Sequence, residues 1–137
     1  MTLKDLLNAN DHFGATSGMR LTEVREGYAR AEMQVENRHL NAGRVCQGGA
    51  LFTLADLALA AVANASGQLT LGIEDTITFH HSAFEGDTLT AEAVEGYRHH
   101  KIPYCEVKIR NQAGELIATV SGIAYRKREP MVFEGLE

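Results

Sequence analysis

The alternation of apolar and polar positions divides this chain into short strands around one apolar helix. Thr2 precedes Leu3, Leu6 and Leu7 and has Asp5 three positions on, which predicts a short capped helix over residues 2–10. From Tyr28 to Val35 the residues Ala29, Ala31, Met33 and Val35 alternate with Arg30, Glu32 and Gln34, the period of a half-buried strand. Met19 to Glu26 lies just before it with Gly27 between, so the two read as a hairpin. Residues 36–47 have no period and read as a loop. Gly48-Gly49 then leads into Ala50 to Ala65, where only Thr53, Asp56 and Asn64 are polar. Such a helix is expected to be buried on every side.

After Gly67 the period returns to that of strands, at Leu69 to His80, Thr88 to Tyr97, Tyr104 to Arg110 and Glu115 to Arg126. Asn111 to Gly114 supplies a hairpin turn, which makes the pairing antiparallel. Glu115 to Tyr125 is apolar on both faces, as a strand inside the sheet should be. One apolar helix with about five or six strands gives an α+β fold, a sheet wrapped on a helix. The chain reads as a single domain over residues 1–137, with an N-terminal helix and cap at 1–18 and a loose tail at 129–137.

A length of 137 residues suffices for a core, since a chain of this size buries about 68% of its unfolded surface. Thirteen Lys and Arg against eighteen Asp and Glu leave a charge of −5, which argues against nucleic acid as a partner. The start of the chain lacks the apolar stretch of a secretion signal, and Cys46 and Cys105 are the only thiols, so both are expected to be free in a cytoplasmic protein. A membrane span is not expected either, because Asp56 interrupts a run already too short to cross.

Asp56 stands out chemically, since an unpaired carboxylate among Leu54, Ala55, Leu57 and Ala58 is costly to bury and needs a structural or a functional reason. Gly48-Gly49 opens the same helix and leaves its first N–H groups unshielded at the positive end of the helix dipole, a place to polarise a carbonyl or hold an oxyanion. Eight residues of helix separate Gly48 from Asp56, about 12 Å along the axis. One chain cannot bring both to one small group. A second copy of the helix running antiparallel would do so, which predicts a two-fold homodimer. His80-His81 and His99-His100 point to opposite faces of their strands, so neither pair grips a metal, and no metal site or cofactor is expected. His39 and His81 read as loop-ordering or ligand-contacting groups. Arg126, Lys127 and Arg128 form a basic patch, either a solvated strand end or a contact for substrate phosphate. Leu51, Phe52, Leu54 and Ala55 offer a helix face suited to an apolar group.

The stretch His39-Leu40-Asn41-Ala42-Gly43-Arg44-Val45-Cys46-Gln47-Gly48-Gly49-Ala50-Leu51-Phe52-Thr53-Leu54-Ala55-Asp56 resembles the signature of hotdog-fold acyl-CoA thioesterases, in particular the phenylacetate-degradation group. Asp75 to Leu89 also resembles that group, and the similarity runs from about Phe13 to Arg126. The resemblance implies a long helix wrapped by an antiparallel sheet, a homodimer or dimer of dimers, and hydrolysis of acyl-CoA to acid and CoA without a cofactor. It implies Asp56 as the carboxylate that activates water or attacks the thioester, and Gly48 as the N–H donor to its oxygen. Asn41 is implied to arrange the site or its water, with Gln47 beside the donor and Gly49, Phe52 and His81 among the substrate contacts. Two departures bear on mechanism. The family usually carries His where Gln47 stands, and Gln47 can donate a hydrogen bond but cannot take up a proton. His81-Ser82 replaces an Arg-Pro pair, which bears on acyl or CoA recognition. The alternative function is a module of the same fold that binds acyl-CoA as a sensor or carrier without cleaving it.

Overall fold

The computed structural model describes residues 1–132. It contains α1 (Leu3–Asn10), α2 (His12–Thr16), β1 (Met19–Arg25), β2 (Tyr28–Gln34), α3 (Gly48–Asn64), β3 (Gln68–Phe79), β4 (Thr88–Tyr97), β5 (Tyr104–Arg110) and β6 (Leu116–Pro130). The strands form one antiparallel sheet in the order β1-β2-β4-β5-β6-β3, curled around α3. All six strands and the first and central helices lie where the periodicity predicts them. Thr2 and Asp5 close the predicted capping box, with the Asp5 N–H donating to Thr2 Oγ1 at 3.2 Å. The α2 turn and a 3-10 turn at Asn37–His39 were not foreseen, because each is too short to show a period.

Small residues on the concave side of the sheet let α3 approach closely. Ala29 and Ala31 on β2 and Ala91 and Ala93 on β4 are fully buried, and Leu54, Ala58 and Ala61 of the helix are buried with them in the core. Larger side chains here would lift the helix and open voids that a close-packed interior does not tolerate. At its far end α3 is tied to β3 by Asn64, whose amide oxygen accepts from the Thr70 N–H at 2.8 Å and whose amide nitrogen donates to the Thr70 carbonyl at 3.1 Å. The burial expected on every side of α3 is not complete. Phe52, Thr53 and Ala60 are half-buried and Asp56 and Gly49 are exposed, a stripe at helical spacing that the protomer's own sheet leaves uncovered.

Two further expectations are corrected. The chain is not loose from residue 129, since β6 continues to Pro130 and Met131 is buried, its N–H donating to the Gly67 carbonyl at 2.7 Å. The rest of the predicted tail, residues 133–137, lies outside the described residues. Arg126 belongs to no solvated basic patch. Alternation along β6 turns it inward, where its guanidinium meets Glu95 at 3.3 Å with the two side chains only 4% and 5% exposed. It also donates to the Ala63 carbonyl at 3.2 Å and to Thr70 Oγ1 at 3.4 Å, joining the end of α3 to β3, β4 and β6. Cys46 and Cys105 are free and buried, and burial pushes both thiols up to about 11.

Arg126→Met is expected to destabilise the fold by about 3 kcal/mol, because it strands a buried Glu95 charge. Adding Glu95→Gln should return most of that loss, and denaturant melts of the single and double variants measure it.

Candidate active site

The loop before α3 is built to present one free amide. The Gln47 side-chain oxygen accepts from the Gly49 N–H at 2.8 Å, capping the helix, while the Ala50 and Leu51 N–H groups return to the Gln47 carbonyl. The Gly48 N–H is left with no acceptor among the described residues, at the positive end of the helix dipole. The Phe79 ring lies over Gly48, and a Cβ there would come within 2.8 Å of the far edge of the ring, so any larger residue needs this exposed ring to swing aside.

Asn41 stands beside this amide. Its Oδ1 accepts from the Gly43 N–H at 2.9 Å and the Val45 N–H at 3.3 Å, an arrangement that shapes the loop, and the residue lines a cavity with Gly48, Phe79 and His81. His39 is buried and fully committed: Nδ1 accepts from the Glu36 N–H at 2.9 Å, and Nε2 lies 2.8 Å from the Ser17 carbonyl, to which it donates in that tautomer. Of its two predicted readings, ordering the loop is the one this geometry serves. Gln47, with its amide nitrogen unused, and Gly49 line a neighbouring groove with Phe13 and Thr53.

Asp56 lies elsewhere. It opens on a cavity of about 280 Å³ walled by Leu59, Ala60, Ala63, Leu71 and Ile123, which the Gly48 amide does not reach. The apolar wall is therefore the helix face following Asp56. Leu51, Leu54 and Ala55 from the predicted acyl face are buried in the core, and Phe52 packs against it half-buried. In the protomer Asp56 is exposed, so its carboxylate is not desolvated by its own chain. Arg126 is held by Glu95 and lines none of these cavities.

A second carboxyl in this cavity escaped the sequence reading. Asp75, half-buried on β3, shares a hydrogen bond with Asp56. Desolvation, that hydrogen bond and the Asp56 charge together push the Asp75 carboxyl up to about 6. A register shift between Gly72 and Glu74 resets the alternation of β3, and no simple period could have revealed which face Asp75 takes. Phe79 was missed as well; its only signal is an aromatic residue at the end of a strand.

Comparison with known proteins agrees with this fold. The Thioesterase superfamily profile matches residues 43–118, which include Gly48, Asp56 and Asp75. A putative esterase of Archaeoglobus fulgidus is 42% identical over 93% of this chain and 82% of its own length. The acyl-coenzyme A thioesterase PaaI of Escherichia coli K12 is 33% identical over 85% of this chain and 84% of its own. The solved structure of the E. coli PaaI protein, from the phenylacetic acid degradation operon, superposes with a TM-score of 0.89 at 30% identity, covering 93% of each chain. With a curled six-stranded sheet around its long helix and this degree of likeness, the chain belongs to the thioesterase superfamily, as a hotdog-fold thioester hydrolase of the PaaI type.

Proposed function

We propose that the protein is a cytoplasmic acyl-CoA thioesterase whose active site is completed by a second copy of the chain. The separation of the Gly48 amide and the Asp56 carboxylate along one helix, in different cavities, carries this reading. A reacting carbonyl needs the donor at its oxygen and the base or nucleophile at its carbon, each about 3 Å away, and about 12 Å of helix forbids this within one protomer. β3 supplies the means of pairing. It is a 12-residue strand with one edge unpaired in the protomer, and Leu71 and Ile73 on it are 51% and 56% exposed. Such an edge is a template for another strand. A two-fold axis there sets the two α3 helices antiparallel and covers the open stripe around Asp56.

In the completed cleft the Gly48 N–H binds the thioester oxygen and holds the negative charge that develops on it. Asp56 of the other protomer supplies the oxygen nucleophile, by taking a proton from water or by attacking the carbonyl directly. The carbon–sulfur bond then breaks and CoA leaves as thiolate, which needs no strong acid beside it; on the direct route water afterwards hydrolyses the acyl–Asp56 anhydride, releasing the acid and restoring the carboxylate. Gln47 and Asn41 offer amide donors at the rim. The preferred acyl group is aromatic, of the phenylacetyl kind. The apolar wall of Leu59, Ala60, Ala63 and Ile123 and the operon of the E. coli relative support this choice.

Thiol release from a panel of aryl- and alkyl-acyl-CoA esters tests the proposal. Asp56→Asn is expected to lose at least ~10²-fold in turnover on the best ester; near-normal turnover would remove Asp56 from the chemistry. Gly48→Pro deletes one N–H at the first helical position, where proline is tolerated, and is expected to cost ~10²-fold or more against Gly48→Ala, which displaces the Phe79 ring in the same way but keeps the N–H. Equal mixing of these two inactive variants, after dissociation and reassociation, should restore about a quarter of wild-type activity, since half the dimers then hold one intact site. Silence in the mixture would mean that both groups act within one chain.

A further inference from the structure

We propose that Asp75 is a positioning residue for the reaction: it keeps a proton between itself and Asp56 and, by donating it as a hydrogen bond, holds the Asp56 carboxylate in its working orientation. The inference rests on the thioesterase reading of Asp56. The placement of Asp75 is a built one. It pairs with Gly122 across β3 and β6, and its Oδ1 lies so close over that residue that a Cβ built on Gly122 would collide with it. Gly122 thus provides the space the carboxyl occupies. The register shift at Gly72 and Glu74 is what brings Asp75 to the cavity that Asp56 lines.

Two adjacent carboxyls cannot both ionise freely, and the more desolvated one keeps the proton. Asp75 is half-buried and Asp56 is exposed in the protomer. The groups facing Asp75 are few. Asp56 meets it from α3, Cys105 from β5 carries a thiol pushed well above neutrality, and β6 offers the Gly122 backbone. Glu95 and Arg126 act on Cys105 and are occupied with each other. Among the described residues nothing cationic facing Asp75 favours its ionised form, in line with its elevation to about 6. With Asp75 protonated, one Asp56 oxygen accepts its O–H and the other stays free for water or the thioester. The shared proton is not consumed. Loss of that proton at higher pH sets two carboxylates against each other and turns Asp56 out of place.

Three measurements on the full-length protein decide the matter. The wild-type kcat profile is expected to fall on its alkaline side as Asp75 ionises. Asp75→Asn keeps a permanent N–H donor, so it should retain turnover within about threefold at the optimum and lose that alkaline limb. Asp75→Ala has no donor and should lose ~10-fold or more in kcat with KM little changed. An unaltered limb in Asp75→Asn, or wild-type kcat in Asp75→Ala, overturns the proposal. Stability has a definite sign as well. A carboxyl raised from 3.8 to about 6 on folding adds stability that is complete below pH 3.8 and is lost as the pH rises through 6. Asp75→Asn should therefore melt above wild type at pH 8, with the gap closing in acid. Should either variant fail to fold, a 13C-carboxyl titration of the wild type suffices: a midpoint near 6 or above for Asp75, falling toward 4 in Asp56→Asn, supports the shared proton, and ordinary titration near 4 refutes it. A wild type inert to every thioester would sink the thioesterase reading, and the same titration would still judge the carboxyl pair.

Discussion

The stiffness of α3 governs everything else in this molecule. A helix holds its residues at about 1.5 Å of rise each, and no side-chain movement shortens the span between its first turn and its middle. Gly48 and Asp56 are therefore fixed at a separation too great for a common target, and the rest of the fold serves to hold that rod and expose one side of it. The alanines of β2 and β4 let the sheet curl tightly on the helix. Asn64 and Arg126 fasten its far end to the strands, and Gln47 closes its near end with a single cap. What remains open is a narrow stripe carrying one carboxylate.

The two halves of the site are built from different physics. The amide half uses backbone geometry: a glycine under an aromatic ring, an N–H left over after its neighbours have found acceptors, and the helix dipole behind it. The carboxyl half uses side-chain charge in partly dry surroundings, where position along a strand decides how strongly a proton is held. The fold of one protomer keeps the two apart, the separation that the proposed pairing of two copies overcomes.

Much of this was legible in the sequence because it depends on local pattern. Strand periods, the capping box of Thr2 and Asp5, the apolar helix and the spacing of Gly48 from Asp56 all follow from residues near one another in the chain. The failures involve distant pairing. Arg126 reads as one of three surface cations until Glu95, from another strand, is found against it. Asp75 reads as an ordinary strand residue until the irregular register of β3 turns it over Gly122. The helix reads as buried all round because hydropathy counts apolar residues without saying which of them the chain's own sheet can cover.

The cap on α3 has a consequence for inhibitors. Gln47 is neutral in acid and in alkali, and it holds the turn through an amide oxygen. The cap itself thus brings no charge change to the neighbouring donor, where a histidine in its place would, although the imidazoles of His80 and His81 share the donor's cavity. For a compound mimicking the tetrahedral species under the proposed mechanism, any acidity-dependent grip at the amide end would come from those two imidazoles and not from the cap.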